Sequence, residues 1–540
     1  MKSNPAGKPA SRPSRGRQRR WVARVKTGCV TCRIRRIKCD EARPSCRNCR
    51  STGRCCDGYN DDTMASEKCD SLIPSRLPST WDFVSLDSGE KENFFFFRSI
   101  TTSTLAGFFD LGFWSYRLLQ DSHRYPALWH GMTALAGVHR EYVDPSKSVT
   151  QPRMGDTRNV QLALKQFNKS IESLMNQFSG QSLTIHDKIA VLSTCVLYIC
   201  ISSLQGRQPQ AFMHLLNGLK LFHQWDLQSS HARSPEDWLG AEMLLLIFTR
   251  LDSQARPYLA MQDMSSGWTD TQLVQPSKER PFATLLESYI SLEALFNDVI
   301  RFFLRYLKNH SPNPDPIPSG VREMYFRQVQ EWDVRHATLL RMSPEYLQEK
   351  AIDLLNIRRQ FVGVMLALDP TQGDLAHDEL FPEYAIMVDT VARILEGGDE
   401  RNTPDYLSVN KQHKHPAFSL ETGIVEPLFW IGTRCREPFL RRKALDLLKR
   451  YPRREGICEG MLASCIVERV IEIEENGCPQ ANAKVGSTST YTRGRWICKA
   501  HRVATWDFIL VTERQVRVVM KTVEDWELSR GGIEVMASWW

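Results

Sequence analysis

No acidic side chain occurs in the first 25 residues, and no histidine between residues 26 and 58. The 540 residues also lack H-E-x-x-H, G-x-S-x-G and any phosphate-binding glycine loop, which removes zinc peptidases, serine hydrolases of that type and P-loop enzymes. The chain is therefore expected not to be an enzyme, and His130 and His139, on an apolar helical pattern, read as core residues. Long apolar runs are missing too. IAVLSTCVLYICISSL, residues 189–204, falls short of a bilayer and carries Ser and Thr, so a buried helix is expected there and no membrane partner. The polar, basic N-terminus has no apolar stretch of the kind a signal peptide needs, and reduced intracellular thiols are expected.

What is present is unevenly placed. Residues 1–58 hold 17 Lys and Arg against Asp40, Glu41 and Asp57, a balance of +14 within a chain of +8, so the remainder carries −6. A charge so concentrated is the electrostatic footprint of a nucleic-acid binder. Seven of the 15 cysteines lie between Cys29 and Cys56, and the other eight are scattered from Cys69 to Cys498 without a paired rhythm.

The clustered cysteines repeat. Cys29, Cys32 and Cys39 follow C-x2-C-x6-C, and Cys46, Cys49 and Cys56 restate it 17 residues later. Thiolate is a soft ligand that suits zinc, and structural zinc takes four ligands in a tetrahedron. Two ions need eight ligand positions; six sulfurs fill them only if two sulfurs bridge. By the symmetry of the repeat the bridges are Cys29 and Cys46. Cys55 competes for the last position, but the 17-residue offset selects Cys56.

This segment, with RIRRIK between its second and third cysteines and the loop CDEARPSC containing Pro44, resembles the binuclear zinc cluster of fungal Zn2Cys6 transcription regulators. The absence of histidine and the basic helix separate it from RING-type and LIM-type modules. KENFFFFRSITTSTLAGFFDLGFW, PALWHGMTALAGVHREY and ISSLQGRQPQAFMHLLNGLKLF resemble the fungus-specific middle region that follows many such clusters, over most of residues 90–450. A looser resemblance is to regulators of secondary-metabolite gene clusters.

In RIRRIK, Ile34 and Ile37 are three apart and are expected to face the metal core, turning Arg33, Arg35, Arg36 and Lys38 outward. The resemblance implies that Arg35 and Arg36 approach a CGG-type triplet in the major groove, where a guanidinium donates two hydrogen bonds to guanine N7 and O6. It also implies that Arg47 and Arg50, with Lys26, Arg33 and Lys38, hold phosphates and position the module.

The expected organisation is a disordered basic arm over 1–25, the Zn2Cys6 DNA-binding domain over 26–58, a flexible linker over 59–89 and a large mainly α-helical regulatory domain over 90–540. The arm's PSRGRQRR suits nuclear import or phosphate contact. No apolar heptad follows the cluster, so nothing there builds a coiled coil, though a homodimer stays among the candidate partners. Apolar residues recur at three and four along FWSYRLLQ, ALWHGMTALAGVHREY and VQLALKQFNKSIESLMNQF, and again near 184–204, 209–225, 235–253, 282–307, 346–368, 378–395, 421–450 and 458–475. Within 282–307 the apolar residues cover several faces, which fits a core helix better than a dimerising seam. RVATWDFILVTERQVRVVMKT reads as a short C-terminal β-hairpin. The acidic and aromatic VEDWELSRGGIEVMASWW suits either a flexible activation segment or a docked C-terminus.

The expected function is that of a nuclear, sequence-specific, DNA-binding RNA polymerase II transcription factor with two zinc ions, partnered by double-stranded DNA and by transcription machinery or co-regulators. The competing reading is a zinc-dependent protein-interaction adaptor that binds nucleic acid only nonspecifically.

Overall fold

The computed structural model describes residues 28–29, 31–32, 37–42, 46–51, 56, 87–144, 157–178, 182–227, 235–259, 280–307, 319–342, 348–396, 416–421, 423–479, 496–512 and 515–538. The chain divides into two units, Met1–Leu77 and Pro78–Trp540. In the first, a short helix α1 (Arg47–Arg50) follows Cys46. Its residues are treated with the metal centre below.

The second unit is built of helices. Ser88–Phe96 (α2) runs into a π-helical turn at Phe97–Thr101, and a second such turn, Phe113–Arg117, leads to Leu118–Ser122. The long elements are α3 (Pro126–Tyr142), α4 (Arg158–Phe178), α5 (Ile185–Leu204), α6 (Gln208–Gln224) and α7 (Pro235–Leu259). They continue as α8 (Leu285–Leu307), α9 (Ser319–Met342), α10 (Glu349–Ala367) and α11 (Phe381–Glu396). The last three are α12 (Val425–Arg434), α13 (Pro438–Arg450) and α14 (Gly460–Gly477).

Local signals explain several boundaries. Pro126 opens α3 at its first turn, where the missing N–H costs nothing. Thr184 and Asp187 form a reciprocal capping box at the start of α5. The predicted single stretch 421–450 is broken at Cys435, whose backbone is extended; Glu437 then caps α13 by accepting from the Leu440 N–H at 2.6 Å, and Pro438 begins it. Helix α9 was not expected. Its charged residues, as in VREMYFRQVQEWDVRH, mask the apolar stripe of Val329, Trp332 and Leu339, which is buried.

Helix α5 is the one helix among the described residues long and apolar enough to cross a membrane, yet 78% of that window is buried inside the unit. It packs against α3, α6 and α7. Close approach needs small residues: a Cβ on Gly131 of α3 would stand 2.9 Å from Leu197, and one on Gly218 of α6 would stand 2.6 Å from Phe248. Helix α8 is a core element, with Tyr289, Leu292, Leu295, Phe296, Val299, Ile300 and Phe303 all buried. Buried His139 bonds Thr101 Oγ1 at 3.0 Å, and burial lowers its pKa to about 4. His130 bonds Gln166 at 2.7 Å, so both histidines are satisfied structural residues.

Two small sheets join this helical body. Ala417–Ser419 (β1) pairs in parallel with Arg453–Glu455 (β2), which pairs antiparallel with Cys458–Glu459 (β3). Buried Arg454 donates to the carbonyls of Ser203 and Leu204, satisfying the C-terminus of α5. Glu455 accepts from the N–H groups of Gly423, Ile424 and Val425, doing the same for the N-terminus of α12.

The C-terminal sheet is an antiparallel meander of β4 (Val503–Thr512), β5 (Gln515–Thr522) and β6 (Ile533–Ser538). The expected hairpin is therefore present, with a third strand added. Val516, Val518 and Met520 alternate onto α14, against Ile466 and Val470. Of the two alternatives for residues 523–540, the described part takes the docked one and not the flexible one: Val523–Glu527 is a helix opened by a Thr522–Asp525 capping box, and β6 is hydrogen-bonded into the sheet. Trp539 and Trp540 lie outside the described residues.

Candidate metal centre

Among the described residues of the first unit the sulfurs are the core. Cys29, Cys32, Cys46 and Cys49 are fully buried, with Cys39 and Cys56 packed against them. Sγ–Sγ separations are 3.7 Å for Cys29–Cys46, 3.9 Å for Cys29–Cys49, 3.6 Å for Cys32–Cys46 and 3.9 Å for Cys32–Cys49. A tetrahedral ion with Zn–S bonds of about 2.3 Å has an S···S edge of about 3.8 Å, so the spacing fits zinc. Two groups of four form, Cys29, Cys32, Cys39 and Cys46, and Cys29, Cys46, Cys49 and Cys56, and they share Cys29 and Cys46.

The sequence repeat reappears as a repeat of hydrogen bonds. The Cys32 N–H donates to Cys29 Sγ, and the Cys49 N–H to Cys46 Sγ, each at 3.4 Å. The Cys29 N–H donates to Cys39 Sγ at 3.4 Å, and the Cys46 N–H to Cys56 Sγ at 3.5 Å. Cys56 thus occupies in the second half the place Cys39 has in the first; Cys55 lies outside the described residues. Cys46 also caps α1 through its sulfur. Burial pushes the thiols of Cys29, Cys32 and Cys46 up, Cys46 to about 12, so a bound cation has to displace protons from them.

The two halves are tied across. Asp40 accepts the Arg47 N–H at 3.1 Å, and Asn48 Nδ2 donates to the Lys38 carbonyl at 2.8 Å. Burial opposes ionisation of Asp40, but the backbone N–H of Arg47 and further hydrogen bonds hold its carboxyl below the usual range.

Of the residues predicted to meet DNA, Lys38, Arg47 and Arg50 are exposed around the sulfur core. Lys26, Arg33, Arg35 and Arg36 lie outside the described residues, as do Ile34 and Pro44. Ile37 corrects the expectation that it faces the metal: it is 41% exposed. Among the described residues the buried cluster there consists of Cys29, Cys32, Cys46 and Cys49, with Cys39 and Cys56 packed against it. One soft-donor group was missed in the sequence, Cys478, Cys498 and His501 in the second unit. The C-x2-H spacing of Cys498 and His501 was its only signal, because Cys478 stands 20 residues away.

Comparison with known proteins places this geometry. Residues 27–66 match the fungal Zn(2)-Cys(6) binuclear cluster domain, and residues 95–270 match the fungal specific transcription factor domain. The chain therefore carries both domains of a fungal Zn2Cys6 transcription regulator, a sequence-specific DNA-binding class, and its cluster domain binds two zinc ions. The aspercryptin biosynthesis cluster-specific transcription regulator atnN of Emericella nidulans is similar to it, 25% identical over 572 residues, covering 87% of this chain and 90% of that one. Two further likenesses are short. The transcriptional regulatory protein moc3 of Schizosaccharomyces pombe is 42% identical over 74 residues, 14% of this chain and 13% of its own length. White-opaque regulator 2 of Candida albicans is 58% identical over 38 residues, 7% of this chain and 8% of its own length. No solved structure matches the chain.

Proposed function

We propose that this chain acts in the nucleus, reading a GC-rich, CGG-like triplet and controlling a cluster of biosynthetic genes. Arg35 and Arg36 carry the base contacts; Lys26, Arg33, Lys38, Arg47 and Arg50 hold phosphates. Cys29 and Cys46 bridge two zinc ions, and Cys32, Cys39, Cys49 and Cys56 complete the two tetrahedra. The observation that carries this reading is a pair of sulfur tetrads sharing two members inside a segment of net charge +14. Two Zn2+ against six thiolates remove only two of those positive charges, so the bound cluster stays strongly cationic. The gene-cluster role is supported by the likeness to atnN, whose name assigns it such a role. Proposed domain limits are 1–25 for a basic arm, 26–58 for the cluster domain, 59–89 for a linker and 90–540 for a helical domain that engages co-regulators or transcription machinery, and a second copy of the chain is among the proposed partners.

Random-site selection with the zinc-loaded chain tests this. A reproducibly enriched GC triplet is expected. Retention of duplexes without enrichment would instead support an adaptor whose basic arm binds nucleic acid nonspecifically.

A further inference from the structure

Soft donors converge at a second place, in the helical unit. Cys478 ends α14, and a short turn, Cys498 to His501, leads into β4. Two sulfurs and an imidazole nitrogen there lie within 4.8 Å of one another. Cys498 Sγ is 2.6 Å from His501 Nδ1, and the Cys498 N–H donates to Cys478 Sγ at 3.4 Å. Cys478 is fully buried and the other two are partly buried.

We propose that Cys478, Cys498 and His501 form a further zinc site that ties the end of α14 to the start of β4. Three observations carry it. First, two thiolates and one neutral imidazole cancel the charge of a divalent ion, and this mixed sulfur and nitrogen set is one zinc takes readily. Second, the local turn repeats the device seen in the cysteine cluster. The His501 N–H donates to the Cys498 carbonyl at 3.2 Å, as the Cys49 N–H donates to the Cys46 carbonyl at 3.2 Å. In each case the i+3 residue is itself a donor to the same centre.

Third, both halves are held before any ion binds. Glu474, one turn before Cys478, accepts the Val503 N–H at 2.9 Å. The same carboxylate is paired with Arg436 at 2.7 Å and Arg441 at 2.9 Å, all three groups fully buried. Arg502, adjacent to His501, donates to the Ile497 carbonyl at 3.1 Å and pairs with Asp378 at 2.6 Å. Pre-organisation of this kind lowers the cost of gathering ligands. A disulfide between the two cysteines would use two of the three convergent donors and leave the imidazole without a role; a metal uses all three. Three protein ligands leave one tetrahedral position for water or an outside donor.

The test is the number of zinc ions retained by the full chain at micromolar zinc, read by native mass spectrometry. Three are expected in the parent, and two in each of Cys498→Ser and His501→Asn with unchanged helical circular dichroism. Cys46→Ser, which strikes the N-terminal cluster, is expected to keep the third ion, so failure of one site is distinguished from failure of the other. Two ions in the parent would overturn the proposal, as would three in both His501→Asn and Cys498→Ser. A parent two mass units lighter, with a Cys478–Cys498 linked peptide, would overturn it in favour of a disulfide.

Discussion

Replacing Cys46 by serine should damage the N-terminal cluster far more than replacing Cys56. Both tetrads contain Cys46, whereas only one contains Cys56. Structural zinc binds small domains with about 10–16 kcal/mol, so an even share among four ligands is roughly 3–4 kcal/mol per metal–sulfur bond. Loss of Cys56 removes one such bond, a weakening of about 10²- to 10³-fold at one ion. Loss of Cys46 removes one bond at each ion, about 6–8 kcal/mol together, and also the sulfur that accepts the Cys49 N–H and caps α1. Competition against a chelator, with zinc occupancy read by native mass spectrometry, separates the two. Cys46→Ser should empty both positions at chelator levels where Cys56→Ser still holds one ion. Equal losses in the two variants would refute the bridging assignment.

Other consequences are open to test. Arg36→Ala should weaken a selected duplex by about 1–3 kcal/mol and blunt base discrimination, while Arg50→Ala should weaken selected and scrambled duplexes alike and reduce the salt slope by about 1. Burial raises the Glu426 carboxyl to about 7, against the attraction of Arg358. Between its ordinary 4.5 and that value the folded chain holds a proton the unfolded chain has shed, so this group's contribution declines as pH rises through that window, by about 3 kcal/mol. Glu426→Gln should flatten that part of the stability profile measured by denaturant titration; an unchanged slope would assign it elsewhere. Gly218→Ala should destabilise by about 1–3 kcal/mol despite its better helix propensity, because the new Cβ meets Phe248 at 2.6 Å. Gly320→Ala, with nothing within 4 Å, should instead gain about 0.4–1 kcal/mol.

The N-terminal site was legible because its ligands are local: two spacings, stated twice, encode two tetrads within 28 residues. Helices with a continuous apolar face, such as α3 and α5, were legible for the same reason. What escaped depends on residues brought together from afar. The buried stripe of α9 is hidden among charges that solvent can keep, and the break at Cys435 needs Glu437 to be seen as a cap. Strand β6 has the composition of a solvated tail, and becomes a strand only because β5 offers it an unpaired edge. Ile37 was misplaced because periodicity assumes a hydrophobic interior, whereas this one is made of sulfur. Cys478 and His501 were invisible as partners because the intervening chain conceals their spacing.

The most direct test of the whole account is the affinity of the full chain for a duplex bearing a CGG-type triplet, titrated by fluorescence anisotropy with zinc bound and again after chelation. Tight binding that exceeds a scrambled duplex only in the zinc-loaded chain, and returns when zinc is restored, is the predicted result. Equal affinity for both duplexes, or discrimination that survives removal of the metal, would contradict it.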